Sequence, residues 1–354
     1  MRDDYLWDAS GEPDPEIQRL ENALRSLRHN GPAPEFPVIA ADKHQPRQVR
    51  WLHGWFARVA VAAACAAVAV IGGFLVLRPK LQVAPSEWTV TNVDGGTRLG
   101  SSTISIAGRA KNLGIGQLLE TDSRSRASIR AEATGEIQVE PQTRLRVLSS
   151  KSGLNRFQLE RGAINVRIWA EPGEFVVDTP SAVAVDLGCV YTLQVNDAGD
   201  GLLRTSMGWV GFKLGDRESF IPAGAACATR KKTGPGTPYF EDTAQSFRDF
   251  LTVLDVQGSN AKEYSAALQA VLEEARPQDA LTLWHLLPRV PESDRERVYD
   301  RLAQFAPPPA GVTRQGILHL DRQMLDLWWN ALDLGDISLW RHWERSWPQN
   351  DVQN

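Results

Sequence analysis

The sequence predicts a mixed, multi-domain chain: a single transmembrane helix, then an all-β domain built as a sandwich or roll of short strands, then an all-α C-terminal domain. Three observations lead there. Val59–Leu77 contains no charged or strongly polar residue. From about residue 86 to 232 apolar residues alternate with polar ones and are punctuated by Gly and Pro. From 242 to 348 the spacing becomes helical, and six of the twelve tryptophans of the chain fall in that stretch.

Residues 1–50 form a tail with one amphipathic helix, 14–30, followed by a linker. Asp14 is a good N-cap, Pro15 fits the first helical position, and Glu16 complements the positive end of the helix dipole. Ile17, Leu20, Leu24 and Leu27 then recur on one face. Gly31-Pro32-Ala33-Pro34 and Pro37 end the helix. The tail contains nothing to bury that leucine face against, so the face is the candidate partner-binding site.

The apolar run marks a membrane span over 55–78. Nineteen helical residues rise about 28 Å, close to the ~30 Å hydrocarbon core. Trp51, Trp55 and Phe56 stand where an interfacial aromatic belt would, and Arg58 and Arg78 bracket the run. A cleaved signal peptide fits poorly, because about 58 residues precede the run. Lys43, Arg47, Arg50 and Arg58 on one side outnumber Arg78 and Lys80 on the other, which predicts a cytoplasmic N-terminus. The location expected is the bacterial inner membrane, single-pass, with the C-terminal domains in the periplasm. In that oxidising compartment the two exported cysteines, Cys189 and Cys227, are a candidate disulfide, with two small core residues as the alternative.

In the β domain, 86–232, the alternating pairs include Ile137 with Val139, Leu145 with Val147, Phe157 with Leu159, and Ile164 with Val166 and Ile168. Breaks fall at Gly135, Pro141, Gly153, Gly162, Pro172-Gly173, Pro180, Gly208 and Gly215, roughly every ten residues. A Gly/Pro-rich hinge, 233–241, leads to the Trp-rich helical domain, 242–348. Helices are expected over Thr243–Asp255, from Asn260 to near Arg276, after Pro277, after Pro291, over Leu320–Leu332 and over Ser338–Trp347.

The chemistry-bearing motifs are missing. There is no phosphate-binding glycine loop, no dinucleotide fingerprint, no nucleophile elbow and no His-Glu-x-x-His. All six histidines lie outside the β domain, and no His-x-x-x-Cys-x-x-Cys zinc arrangement exists. The reading is a non-enzyme with no cofactor and no metal. With a net charge of −4 and 23% charged residues, direct nucleic-acid binding is not expected. Trp340, Trp343 and Trp347 share one helix face and are a candidate aromatic binding surface, against the alternative of a helical core built from large side chains.

Through the β segment run, in order, Gly116–Ala127, Gly135–Pro141, Thr143–Leu145, Leu159–Gly162, Phe175–Pro180, Ala182–Gly188, Gly208–Val210 and Pro222–Gly224. On these residues the segment resembles the FecR family, the transmembrane sensors that regulate extracytoplasmic-function sigma factors. The residues that carry it are turn and strand residues, and the resemblance supplies no catalytic site. Cys189 departs from the family, which has a small residue after this glycine. The helical C-terminal domain also stands where well-known sensors carry a small α/β receptor-docking module. The resemblance implies a regulator that couples a periplasmic FecR-like domain, with a periplasmic or outer-membrane partner, to a cytoplasmic extracytoplasmic-function sigma factor, as anti-sigma factor or activator. The alternative is a structural envelope protein that binds a glycan or an assembly partner.

Overall fold

The computed structural model describes residues 87–104, 110–151, 154–256 and 260–346. The expected tail helix and membrane span lie outside them. Among the described residues no helix is long and apolar enough to cross a membrane. What is described is a large β region followed by C-terminal helices, in the order expected.

The first strands are β1 (Thr89–Asp94), β2 (Thr97–Leu99), β3 (Ser102–Ile104), β4 (Lys111–Asn112), β5 (Leu118–Thr121) and β6 (Arg126–Ala131). Then come β7 (Gly135–Val139), β8 (Arg144–Lys151), β9 (Leu154–Ile168), β10 (Phe175–Asp178), β11 (Val183–Asp186) and β12 (Val190–Val195). The last are β13 (Gly201–Met207), β14 (Trp209–Leu214), β15 (Arg217–Pro222), β16 (Ala225–Arg230), β17 (Gly234–Pro235) and β18 (Tyr239–Phe240). They form two sheets. One runs β4-β1-β6-β7-β9-β12-β13-β16, with β17 and β18 both on β16. The other runs β3-β2-β5-β8-β9-β10-β11-β14-β15 and contains the parallel pair β9–β10.

The long strand β9 belongs to both sheets, and its sequence shows how. Before Gly162 the odd residues Asn155, Phe157 and Leu159 point inward; after it the even residues Ile164, Val166 and Ile168 do. A bulge opposite Arg144 and Leu145 supplies the extra residue that switches the parity, so both halves face one core. Gly162 takes φ +95°, and a Cβ there would come within 2.4 Å of the Thr143 Cα. The sequence reading treats this glycine as a break between two strands. The chain instead runs through it, and Gly162 is where β9 passes from one sheet to the other. At one end of the core Trp88 packs edge-on against Phe157 at 5.0 Å, and its indole N–H donates to the buried Asn155 amide oxygen at 2.9 Å.

The helices are α1 (Gln245–Asp255), α2 (Ala261–Glu274), α3 (Ala280–Leu286), α4 (Glu292–Phe305), α5 (Arg314–Leu318), α6 (Arg322–Ala331) and α7 (Ile337–Ser346). Asn260 caps α2 by accepting from the Glu263 N–H at 2.9 Å, and Pro291 precedes α4, both as expected. The short α5, which Thr313 caps, has too few apolar positions to show a period.

These helices pack onto the outer face of β14 and β15. Gly211 pairs with Phe220, so both side-chain positions point to the same side, together with Trp209. That side is covered by Trp329 at 5.1 Å, Trp340 at 5.4 Å and Trp284 at 5.9 Å from the Phe220 ring. Gly211 leaves the space that the Trp340 ring fills, since a Cβ there would meet the ring at 2.1 Å. On the opposite side of the same strands, Val210, Phe212 and Ile221 are fully buried in the β core. The segment expected as a hinge is itself bonded to the sheet: Pro235 lies opposite Thr229, and Tyr239 opposite Ala226.

Candidate functional site

One edge of the second sheet is β15, and α3 closes it. Residues 218 and 220 turn their backbone groups outward, away from β14. The Phe220 N–H donates to His285 Nε2 at 2.9 Å, while the Glu218 carbonyl accepts from Arg289 Nη2 at 2.7 Å. An acceptor at Nε2 places the imidazole proton on Nδ1, which donates to the Leu281 carbonyl at 2.8 Å. Burial, with Arg289 nearby, holds the His285 pKa well below its ordinary value, so the ring stays neutral and keeps accepting.

Between this edge and the helices lies a cleft of about 550 Å³. Its floor is apolar, from Trp284, Pro288, Leu320 and Leu325, and Trp284 is fixed by its indole N–H donating to the Leu325 carbonyl at 3.1 Å. Its walls are charged and fall into two groups. In the outer group Arg341 reaches Glu218 at 2.8 Å and Asp326 at 2.7 Å, Lys213 reaches Glu344 at 2.5 Å, and Arg322 pairs with Glu344. Burial opposes the charge on Glu344. The hydrogen bond from Lys213, with Arg322 and Arg341 nearby, outweighs that and holds its carboxyl below the usual range. In the inner group Arg217 reaches Asp255 at 2.8 Å, and Arg289 stands 3.9 Å from the same carboxylate. Burial, and then the neighbouring Arg217, lower the Arg289 pKa to about 10. Each group joins residues from elements far apart in the chain, Lys213 with Glu344 and Glu218 with Arg341 in one and Arg217 with Asp255 in the other, so no local motif announces them. Arg289, set among Leu286, Leu287 and Val290, is the one whose apolar neighbours hint at burial.

A second buried polar group sits at the turn after β11. The Asp186 carboxylate, 1% exposed, accepts from the Gly188 N–H at 2.8 Å, the Cys189 N–H at 3.2 Å and the Cys189 thiol at 2.7 Å. Burial raises its pKa to about 6 against those three hydrogen bonds. Tyr191 is buried with its hydroxyl unpaired.

The sequence candidates fare unevenly. Ile17, Leu20, Leu24 and Leu27 lie outside the described residues, as does Trp347. Trp340 and Trp343 are buried, at 0% and 7% exposure, so they form core rather than an aromatic surface; the apolar face of β14–β15 needed covering. The Cys189–Cys227 disulfide is not formed, and both thiols are free and buried. Register explains it. Cys227 pairs with Leu203, and Leu203 with Leu193, so Cys189 is two strands away and four residues off. That is roughly 16 Å between Cα atoms, beyond the ~7 Å a disulfide can span. Among the described residues, no group of three His, Cys, Asp or Glu is placed to hold a metal ion.

Residues 117–206 match the family model described as FecR protein. No curated protein matches. Two crystal structures of a chain from Parabacteroides distasonis ATCC 8503, described as a "putative anti-sigma factor", are similar at 15% identity and a TM-score of 0.31. Those alignments cover 38% of this chain and 64% and 63% of the solved chains, so this chain spans just under two thirds of their length. The family match takes in β5 to β12 and all but the last residue of β13, with the bent strand β9 at its centre: residues 117–206 are a FecR domain.

Proposed function

We propose that the chain is a single-pass inner-membrane regulator of an extracytoplasmic-function sigma factor, acting by binding and not by catalysis. The tail, 1–50, faces the cytoplasm and engages the sigma factor through Ile17, Leu20, Leu24 and Leu27. Residues 55–78 cross the membrane, and the FecR domain with its helices meets a periplasmic or outer-membrane partner. The observation that carries this reading is the FecR match over 117–206. It stands in one chain with a 19-residue apolar run and, ahead of that run, a segment whose apolar residues recur at helical spacing. The four-to-two excess of basic residues before the run supports the orientation.

The test is co-purification of residues 1–50 with the candidate sigma factor. An apolar side chain buried at an interface contributes about 1.5–3 kcal/mol, and a carboxylate in its place adds a desolvation penalty. Leu20→Glu or Leu24→Glu therefore abolishes capture, while Arg19→Glu, beside the face, is tolerated. Equal capture by the leucine variants, or no capture by the wild-type tail, overturns the proposal.

A further inference from the structure

The two halves of the cleft differ in charge balance. In the outer half Lys213, Arg322 and Arg341 meet three carboxylates, those of Glu218, Glu344 and Asp326. In the inner half two guanidiniums, Arg217 and Arg289, share Asp255 alone, at 2.8 and 3.9 Å. That carboxylate is already engaged by the Thr237 N–H at 2.6 Å and the Thr237 hydroxyl at 2.8 Å. The Arg289 side chain is 8% exposed, and its remaining acceptors are neutral: the Thr237 and Ser219 hydroxyls and the Glu218 carbonyl. Asp216 also lines the cleft, but it is exposed at the rim, where water screens it. A buried cation without its own counter-charge is costly, and the cost is relieved when an anion enters beside it.

Next to this surplus charge lies the apolar floor, Trp284 with Leu320 and Leu325, in a cleft whose volume suits a small organic molecule. We propose that the cleft is a binding site for an organic anion: one carboxylate on a short apolar body. The carboxylate lies on the Arg217–Arg289 pair, and the apolar body covers Trp284 and Leu325. One surplus positive charge calls for one negative charge, which a single carboxylate supplies and an inorganic dianion exceeds. Because the cleft is walled by β14–β15 on one side and by α3, α6 and α7 on the other, an occupant ties the helices to the edge of the sheet.

The experiment titrates the full chain, in lipid nanodiscs, with hexanoate, hexanol and acetate, following ligand signals by saturation-transfer NMR. Hexanoate is expected to saturate and to weaken as salt is raised, whereas hexanol does not saturate and acetate binds at least about tenfold more weakly. Arg217→Gln is expected to weaken hexanoate at least about tenfold. Leu320→Glu, at a half-buried position on the floor, brings in a competing carboxylate and does the same without touching the buried pair. Near-UV circular dichroism checks that each variant is folded, and should Arg217→Gln unfold, Leu320→Glu decides. Failure of hexanoate to saturate the wild type overturns the proposal, as does equal binding by both folded variants. Hexanol binding as tightly as hexanoate removes the charge argument, and acetate binding as tightly removes the apolar one. Binding is read on this chain alone, so the result is independent of whether the tail captures a sigma factor.

Discussion

Replacing Asp186 by Asn tests the buried carboxyl at the turn after β11. Its folded pKa is about 6 against an ordinary value of 3.8. Between these values the folded chain keeps a proton that the unfolded chain has released. The stability this gives is fully present below about pH 3.8 and is lost as pH rises through about 6. A shift of roughly two units corresponds to about 3 kcal/mol between the acidic and neutral plateaus, with about half of it gone by pH 5. Asn cannot ionise, and its amide oxygen can still accept from the Gly188 and Cys189 N–H groups that now bond Oδ1. It gives up the contact in which the Cys189 thiol donates to Oδ2, at a cost of about 1 kcal/mol. The variant is therefore expected to be less stable than wild type at pH 3.5 and more stable at pH 7.5. The difference should move by about 3 kcal/mol across that range. His285 titrates in the opposite sense, since its depressed pKa makes acid destabilising, but it is common to both proteins and cancels in the difference. The assay is urea unfolding of both proteins at half-unit pH intervals, followed by tryptophan fluorescence. A stability difference that stays flat with pH would mean that the carboxyl titrates alike in the folded and unfolded chains, and the burial argument would fail.

Two further outcomes follow from packing. Gly211→Val places side-chain atoms where the Trp340 ring lies, and it is expected to lift α7 from β14. The loss should be about 3 kcal/mol or more, read as a lower melting temperature with early exposure of tryptophan; a melting curve like that of wild type would contradict the packing. Cys189 and Cys227 are expected to be unreactive toward a thiol reagent in the native chain, because burial raises both thiols, Cys227 to about 12. Both should be labelled after denaturation without reductant, as counted by mass spectrometry, and two unlabelled cysteines would restore the disulfide.

Local chemistry in the sequence carries much of this fold. Asn260 and the prolines before α3 and α4 announce helix starts because a cap acts within one turn of itself. Alternation in β6, β7 and β12 announces strands because one face of each is buried and the other is not. The reading fails where the decisive partner is distant. Gly162 carries every mark of a turn, and only its contact with Thr143, together with the parity switch along β9, shows a strand that bends between two sheets. The cysteine pairing fails for the same reason, since strand order and not chain spacing sets their separation. In the cleft, Arg217, Asp255, Arg289 and Glu344 come from four separate elements or their ends, and nothing within any one of them points to the others.

The tryptophans turn on one short strand. Trp209, Val210, Gly211 and Phe212 are buried in succession, which alternation does not allow for a strand with one wet face. Such a run implies a second layer, and here the chain after β14 supplies it. Of what remains after β14, the segment richest in large apolar side chains is the helical one, with Trp284, Trp329 and Trp340. The glycine at 211 gives the sense of the fit. A small residue on the outer parity, opposite Phe220, leaves a hollow that the indole of Trp340 fills. Read this way, the aromatic density of the C-terminal helices is the complement of the apolar outer face of β14–β15. A partner of the helices would then meet what they leave uncovered, and their charged cleft is a part of that surface with both depth and surplus charge.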